Sequence, residues 1–142
     1  MSDVPILAES ICDEMQELYD QATELEEQGE MKAAGELYLK AWEMLPEPKN
    51  SWDASAQYAD ITAEFFLEAG DVDRALEFSR IALESDITDF DPAKHRTAGK
   101  AEFEAGNREK AMELFRVAYE RGGKRAFANE DPKYFKFFMA NR

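Results

Sequence analysis

The chain has 142 residues, 44% of them hydrophobic and 34% charged. That is long enough for one domain to bury a core without disulfides or a metal, and too apolar for global disorder. Thirty-one acids against 17 bases leave a formal net charge of −14, and residues 1–90 hold 23 acids and 5 bases while 91–142 hold 8 and 12; such a surface repels nucleic acid and anionic membranes and speeds encounter with basic partners.

Met1-Ser2-Asp3-Val4 lacks the basic segment and apolar run of a secretory signal, and no stretch approaches the ~18 apolar residues of a membrane span. The expectation is a soluble cytoplasmic protein. The first helix is predicted over about 6–28, where Leu7, Ile11, Met15, Leu18, Ala22 and Leu25 recur at helical spacing. Residues 1–30 contain ten acids and no base. Like charges three or four apart repel, each pair by about 0.2–0.5 kcal/mol, so packing of the apolar stripe must hold this helix. Gly29 interrupts the pattern, and Met31, Ala34, Leu37, Tyr38, Ala41, Trp42 and Leu45 predict a second helix that Pro46 and Pro48 stop.

Ser51 reads as the N-cap of the next helix, which carries Trp52, Tyr58, Ala59, Ala63, Phe66 and Leu67 before Gly70. Asp71 caps its partner, where Ala75, Leu76, Phe78, Ala82 and Leu83 pack. Ser85-Asp86-Ile87-Thr88-Asp89-Phe90 reads as a loop. Asp91-Pro92 then opens a third pair as cap and first helical residue. Ala98, Gly99, Ala101 and Phe103 lead to Gly106-Asn107, and Ala111, Met112, Leu114, Phe115 and Ala118 continue to Gly122-Gly123. The helix pairs therefore cover about 6–46, 51–85 and 91–122, in a single domain over 1–142.

Aligning Gly29, Gly70 and Gly106 tests for a repeat. Five residues later stand Ala34, Ala75 and Ala111, twelve later Ala41, Ala82 and Ala118, and seven earlier Ala22, Ala63 and Gly99. Every aligned position is small, as closely crossing helices require. These residues resemble the tetratricopeptide repeat family, with Ala22, Leu25, Gly29, Ala34, Tyr38, Ala41 and Pro46 in the first unit and Gly99, Gly106, Ala111, Phe115 and Ala118 in the third. The middle unit keeps Ala63, Phe66, Gly70, Ala75 and Ala82 but has Ser79 at the aromatic position, with Phe78 displaced by one. Turn spacings of 41 and 36 exceed the family's repeat of about 34. The resemblance implies an all-α fold of antiparallel helix pairs in a short right-handed solenoid.

Exposed end repeats need caps. The 124–142 segment fits that role: Asp131-Pro132 opens a helix in which Tyr134, Phe135, Phe137, Phe138 and Met139 are too apolar to leave in water. The same cluster has the composition of a binding hot spot.

The resemblance also implies protein recognition in a groove lined by the first helix of each pair. Its positions fall on Tyr19, Thr23, Glu26 and Glu27, then Asp60, Glu64, Leu67 and Glu68, then Arg96, Lys100, Phe103 and Glu104. That groove is acidic in two units and basic in the third. Tyr19 and Thr23 replace the Lys and Asn with which one branch of the family clamps a terminal carboxylate, so that role is not implied.

Enzymatic signals are weak. His95 is the only histidine and Cys12 the only cysteine, so a multi-histidine centre, a cysteine-built metal site and an intrachain disulfide are excluded, and no phosphate-binding glycine loop is present. No cofactor or metal is expected. Lys124, Arg125, Lys133 and Lys136 interleave with Phe127, Tyr134 and Phe135, but the net charge opposes nucleic-acid binding. The expected function is a protein-binding adaptor or scaffold whose partner presents a basic surface. The alternative is a bacterial immunity protein that covers a basic toxin such as a nuclease. Glutamate is also a good helix former, so acidity alone identifies no partner.

Overall fold

Three identical helix-to-helix turns set the architecture. In each, the glycine adopts a left-handed conformation, with φ of 81° at Gly29, 80° at Gly70 and 87° at Gly106. The following N–H then reaches back five residues, from Glu30 to the Leu25 carbonyl, Asp71 to Phe66 and Asn107 to Glu102, each at 2.9 Å. This closes the helix end on its own carbonyls. A Cβ at any of the three glycines would meet nothing within 4 Å, so it is the backbone angle, rather than crowding, that calls for glycine.

The structure is a computed structural model and describes residues 6–86, 88 and 90–142, with the side chain of Asn50 excepted. The leader reading of Met1-Ser2-Asp3-Val4 and the loop reading of Ile87 and Asp89 lie outside the described residues. Among the described residues every regular element is helical: α1 (Glu9–Glu27), α2 (Met31–Glu43), α3 (Ser55–Ala69), α4 (Val72–Ser85), α5 (Ala93–Glu104), α6 (Arg108–Gly122) and α7 (Pro132–Asn141), with 3-10 turns at Lys49–Ser51 and Gly123–Phe127. The helices pair as α1 with α2, α3 with α4 and α5 with α6. Between pairs, α2 packs on α3, and α3 and α4 pack on α5; α7 and the second 3-10 turn pack on α6. No described helix is long and apolar enough to cross a membrane.

The small positions aligned in the sequence lie where helices meet. Ala22, Ala34, Ala41, Ala63, Ala75, Ala82, Ala111 and Ala118 are all fully buried. At Gly99 a Cβ would stand 2.6 Å from the Phe115 ring, which lies flat against the glycine. Gly99→Ala is therefore expected to destabilise the protein by about 1–3 kcal/mol through overpacking, although alanine is the better helix former by ~1 kcal/mol. Urea unfolding checks the sign, and a stabilised variant would mean the ring yields freely.

Ser79, the irregular position, is fully buried and donates its hydroxyl to the Leu76 carbonyl at 3.2 Å. Phe78 takes over the aromatic role one position away: it meets Trp42 of α2 edge-on at 5.5 Å and stacks with Phe66 at 6.1 Å. The displaced ring thus ties the second pair to the first.

Several boundaries differ from the sequence reading. α1 begins at Glu9, but Leu7 stays in the core because the Asp53 carboxylate accepts its N–H at 3.0 Å. Ser51 does not cap α3; its hydroxyl donates to the Pro48 carbonyl within a 3-10 turn. Ser55 organises the entry instead, accepting the Trp52 N–H at 3.0 Å and donating to the Lys49 carbonyl at 2.6 Å. Pro92 precedes α5 rather than starting it, and Asp91 accepts the N–H of Ala93. Asp71 and Asp131 cap α4 and α7 as expected, with Pro132 at the first position of α7.

The apolar core falls into two clusters, one shared by the first two pairs and one joining α6 to Phe127, Tyr134 and Phe138. Between them α5 carries a buried polar seam of Thr97, Lys100 and Glu102. Glu102, 3% exposed, is held by Arg80 at 2.8 Å and Asn107 at 3.1 Å, so a charge-assisted contact adds to the packing of α4 on α5.

Candidate functional site

The predicted groove residues divide into those that hold the fold and those that face solvent. Tyr19 belongs to the first group. Its ring stacks on Tyr58 at 4.7 Å, and its hydroxyl lies 3.0 Å from Thr62 Oγ1 and 3.3 Å from the Tyr58 carbonyl. Burial pushes its pKa well above the ordinary tyrosine value. Tyr19 therefore bolts α1 to α3 and is closed to a partner.

Thr23 and Glu27 are exposed, and Glu26 is half-buried. Thr23 Oγ1 lies 3.2 Å from the Tyr38 hydroxyl, which donates to Glu26 at 2.9 Å. Burial and the neighbouring Glu68 carboxyl push Glu26 upward, against the pull of Tyr38. Exposed Glu27 and Glu68 thus add negative charge to the surface of the first two units.

The third unit differs from a basic, open groove because the chain's own C-terminal segment neutralises it. Lys100, 5% exposed, reaches Glu64 at 2.9 Å and also pairs with Glu130. Arg96 donates to the Ala126 carbonyl at 2.9 Å, with its Nε 3.7 Å from Glu130. Thr97 donates to Glu64 at 2.8 Å. Phe103 meets Tyr134 at 5.4 Å and Phe137 at 4.9 Å, while Glu104 accepts from Lys133 and from Tyr134 Oη. What stays open is a cleft of about 340 Å³ between Glu64, Leu67 and Glu68 on one side and Asn129, Glu130 and Asp131 on the other, with Lys100 and Tyr134 in its lining.

Asp60 lies beside this seam with its Oδ1 buried and without a hydrogen-bond partner among the described residues. Burial pushes its carboxyl up to about 6, with Glu64 adding to the rise and Thr97, Lys94 and Arg96 opposing it. The folded state thus holds a proton that the unfolded chain releases above a pH of about 4. The stability this contributes is complete below that pH and is lost as pH rises through about 6. Asp60→Asn is expected to gain up to about 3 kcal/mol on the native protein between pH 4 and pH 7. Urea unfolding of both across that range checks it; parallel stability curves would contradict it.

An acidic face lies on the side of α1 opposite Met15, Ala22 and Leu25. Glu9, Asp13, Glu17, Asp20, Glu24 and Glu27 recur every three or four residues and are all exposed. Among the described residues none of them joins an ion pair; the acids of α3, α5 and the C-terminal segment do, through Glu64, Glu102, Glu104 and Glu130.

His95 lies against Arg121, whose Nη1 is 3.4 Å from Nδ1, and burial together with that guanidinium lowers its pKa. The Cys12 thiol points to the Leu7 carbonyl, and burial followed by Asp53, Asp13 and Glu9 raises its pKa, the opposite of an activated nucleophile. Among the described residues no group of three His, Cys, Asp or Glu is placed to hold a metal ion. No protein-family model matches the sequence, and no curated protein matches it either.

Proposed function

We propose that this chain is a protein-binding module of the tetratricopeptide kind, a right-handed stack of three helix pairs with a C-terminal cap, whose acidic side engages a basic protein surface. The observation that carries the binding reading is the uncompensated acidic stripe of α1. Six carboxylates in register along about five turns of helix repel one another, and no described cation relieves them. A partner's lysines and arginines relieve that repulsion on docking and are steered to it from a distance.

Support for the stacked-repeat reading comes from the three matching glycine turns, the buried small residues and the packing of each pair onto the next. Exposed Glu68 of α3 adds to the negative charge of the first two units. The C-terminal segment covers the third unit, so the partner reads the first two units.

A narrower form of the same reading is a bacterial immunity protein that covers a basic toxin, favoured by the absence of any described cation among the stripe acids. Co-expression with the product of an adjacent gene separates the two: rescue from toxicity supports immunity, and unchanged toxicity supports an adaptor. The general reading is tested by capture from an extract of the source organism. One basic protein retained in stoichiometric amount is the expected result, and recovery of none would overturn it.

A further inference from the structure

At the opposite end of the molecule, the second 3-10 turn and α7 enclose an open cleft of about 510 Å³. Phe127, Ala128, Pro132 and Phe135 supply its apolar lining. Lys124, Arg125 and Lys136 stand exposed around it. Glu130, its one acid, is already bound to Lys100 and Arg96, so the cleft's remaining charge is positive.

The cations are distinctive. Among the described residues, most Lys and Arg of 91–142 are in ion pairs or lie over aromatic rings. Arg116, Lys124, Arg125 and Lys136 have no such contact there, and three of these four meet at this cleft. In a protein of net charge −14, cations left free beside an apolar depression are poorly explained by solubility, which the acids already supply.

We propose that this cleft is a second binding site, which takes a peptide segment of a partner protein bearing an aromatic anchor flanked by Asp or Glu. The ring fills the depression that Ala128, Pro132 and Phe135 line, over the contact Phe135 makes with Phe127 at 5.2 Å. The flanking carboxylates meet Lys124 and Arg125 on the 3-10 turn and Lys136 on α7. Because the cleft is open to solvent, a free amphiphile would keep much of its surface wet. An anchor presented by a chain that continues past both rims buries its ring and uses all three cations. The site is separate from the α1 stripe and opposite in charge, so the chain can join a basic surface to an acidic segment.

The probe is a fluorescein-labelled peptide of about twelve residues, one central phenylalanine between aspartates and glutamates, titrated with the full chain and read by anisotropy. Saturable binding in the range of ~10–100 μM is expected, lost when serine replaces the phenylalanine. Arg125→Glu with Lys136→Glu is expected to weaken it at least about tenfold. Both residues are exposed and unpaired among the described residues, so the variant's thermal unfolding should match the native protein's and separate lost binding from lost fold. Reversing the α1 acids leaves this titration unchanged, which keeps it independent of the acidic-stripe reading. Absent saturation, or equal binding by the charge-reversed cleft, overturns the proposal. So does self-association that excludes the peptide and disappears with Phe90→Ala, since it would assign the cleft to a second copy through the exposed Phe90 ring.

Discussion

Phe115→Ala is expected to lower the unfolding free energy by about 3–5 kcal/mol, the range for removing a large aromatic from a packed core. The ring is fully buried, flat on Gly99 of α5 and edge-on to Phe127 at 5.4 Å, with Tyr134 at 6.0 Å and Phe137 at 6.3 Å. It therefore touches α5, the second 3-10 turn and α7 at once, and no neighbour is placed to fill its volume without moving one of the three. Loss of the ring should also loosen the C-terminal segment, because Phe127 and Tyr134 lose their shared partner. Chemical unfolding measures the first effect and hydrogen exchange over 123–141 the second. A loss below ~1 kcal/mol would mean that the third helix pair is packed otherwise.

Lys100→Met is the second large effect, with an expected loss of about 3 kcal/mol near neutral pH. The ammonium is nearly buried between Glu64 and Glu130, which draw the α3 and C-terminal sides of the seam together. Methionine keeps most of the volume, so the loss reports charge: two carboxylates and Asp60 are left with Arg96 and Lys94 as the nearby cations. Breaking a buried pair from one side strands its partner, whereas neutralising both sides does not. Adding Glu64→Gln and Glu130→Gln to Lys100→Met should therefore restore much of the stability. If the triple variant is no more stable than Lys100→Met, the seam is held by packing and not by its charges.

The helices and their turns were legible because backbone geometry writes itself locally. Gly29, Gly70 and Gly106 occupy the one conformation that other residues avoid, and the alanines aligned on them mark the helix crossings. The entry to α3 was not legible, since Ser51 and Ser55 are both capping residues and only the path of the 3-10 turn decides between them. Phe65 escaped notice beside Phe66. Consecutive aromatics cannot share one helical stripe, yet both are buried because α3 packs against α2 as well as α4.

The candidate site was legible in composition more than in placement. Counting charges located the acidic α1 face. It did not reveal that Tyr19 hydrogen-bonds to Thr62 inside the core, or that Glu130 returns across 30 residues to pair with Lys100. The Glu130-Asp131 pair set in a basic stretch was the available signal for Glu130. Its partner depends on tertiary folding, to which helical periodicity is blind.

The proposed function rests on the acidic stripe, and the most direct test is the affinity of the captured partner for the native chain and for a variant carrying Glu17→Lys, Asp20→Lys, Glu24→Lys and Glu27→Lys. These side chains are exposed and outside every described ion pair, so the variant should fold as the native protein does. Affinity for the native chain is expected to fall steeply with added salt, and the variant to bind at least about a hundredfold more weakly at low salt. Equal affinity for both, with no dependence on salt, would contradict the proposed function.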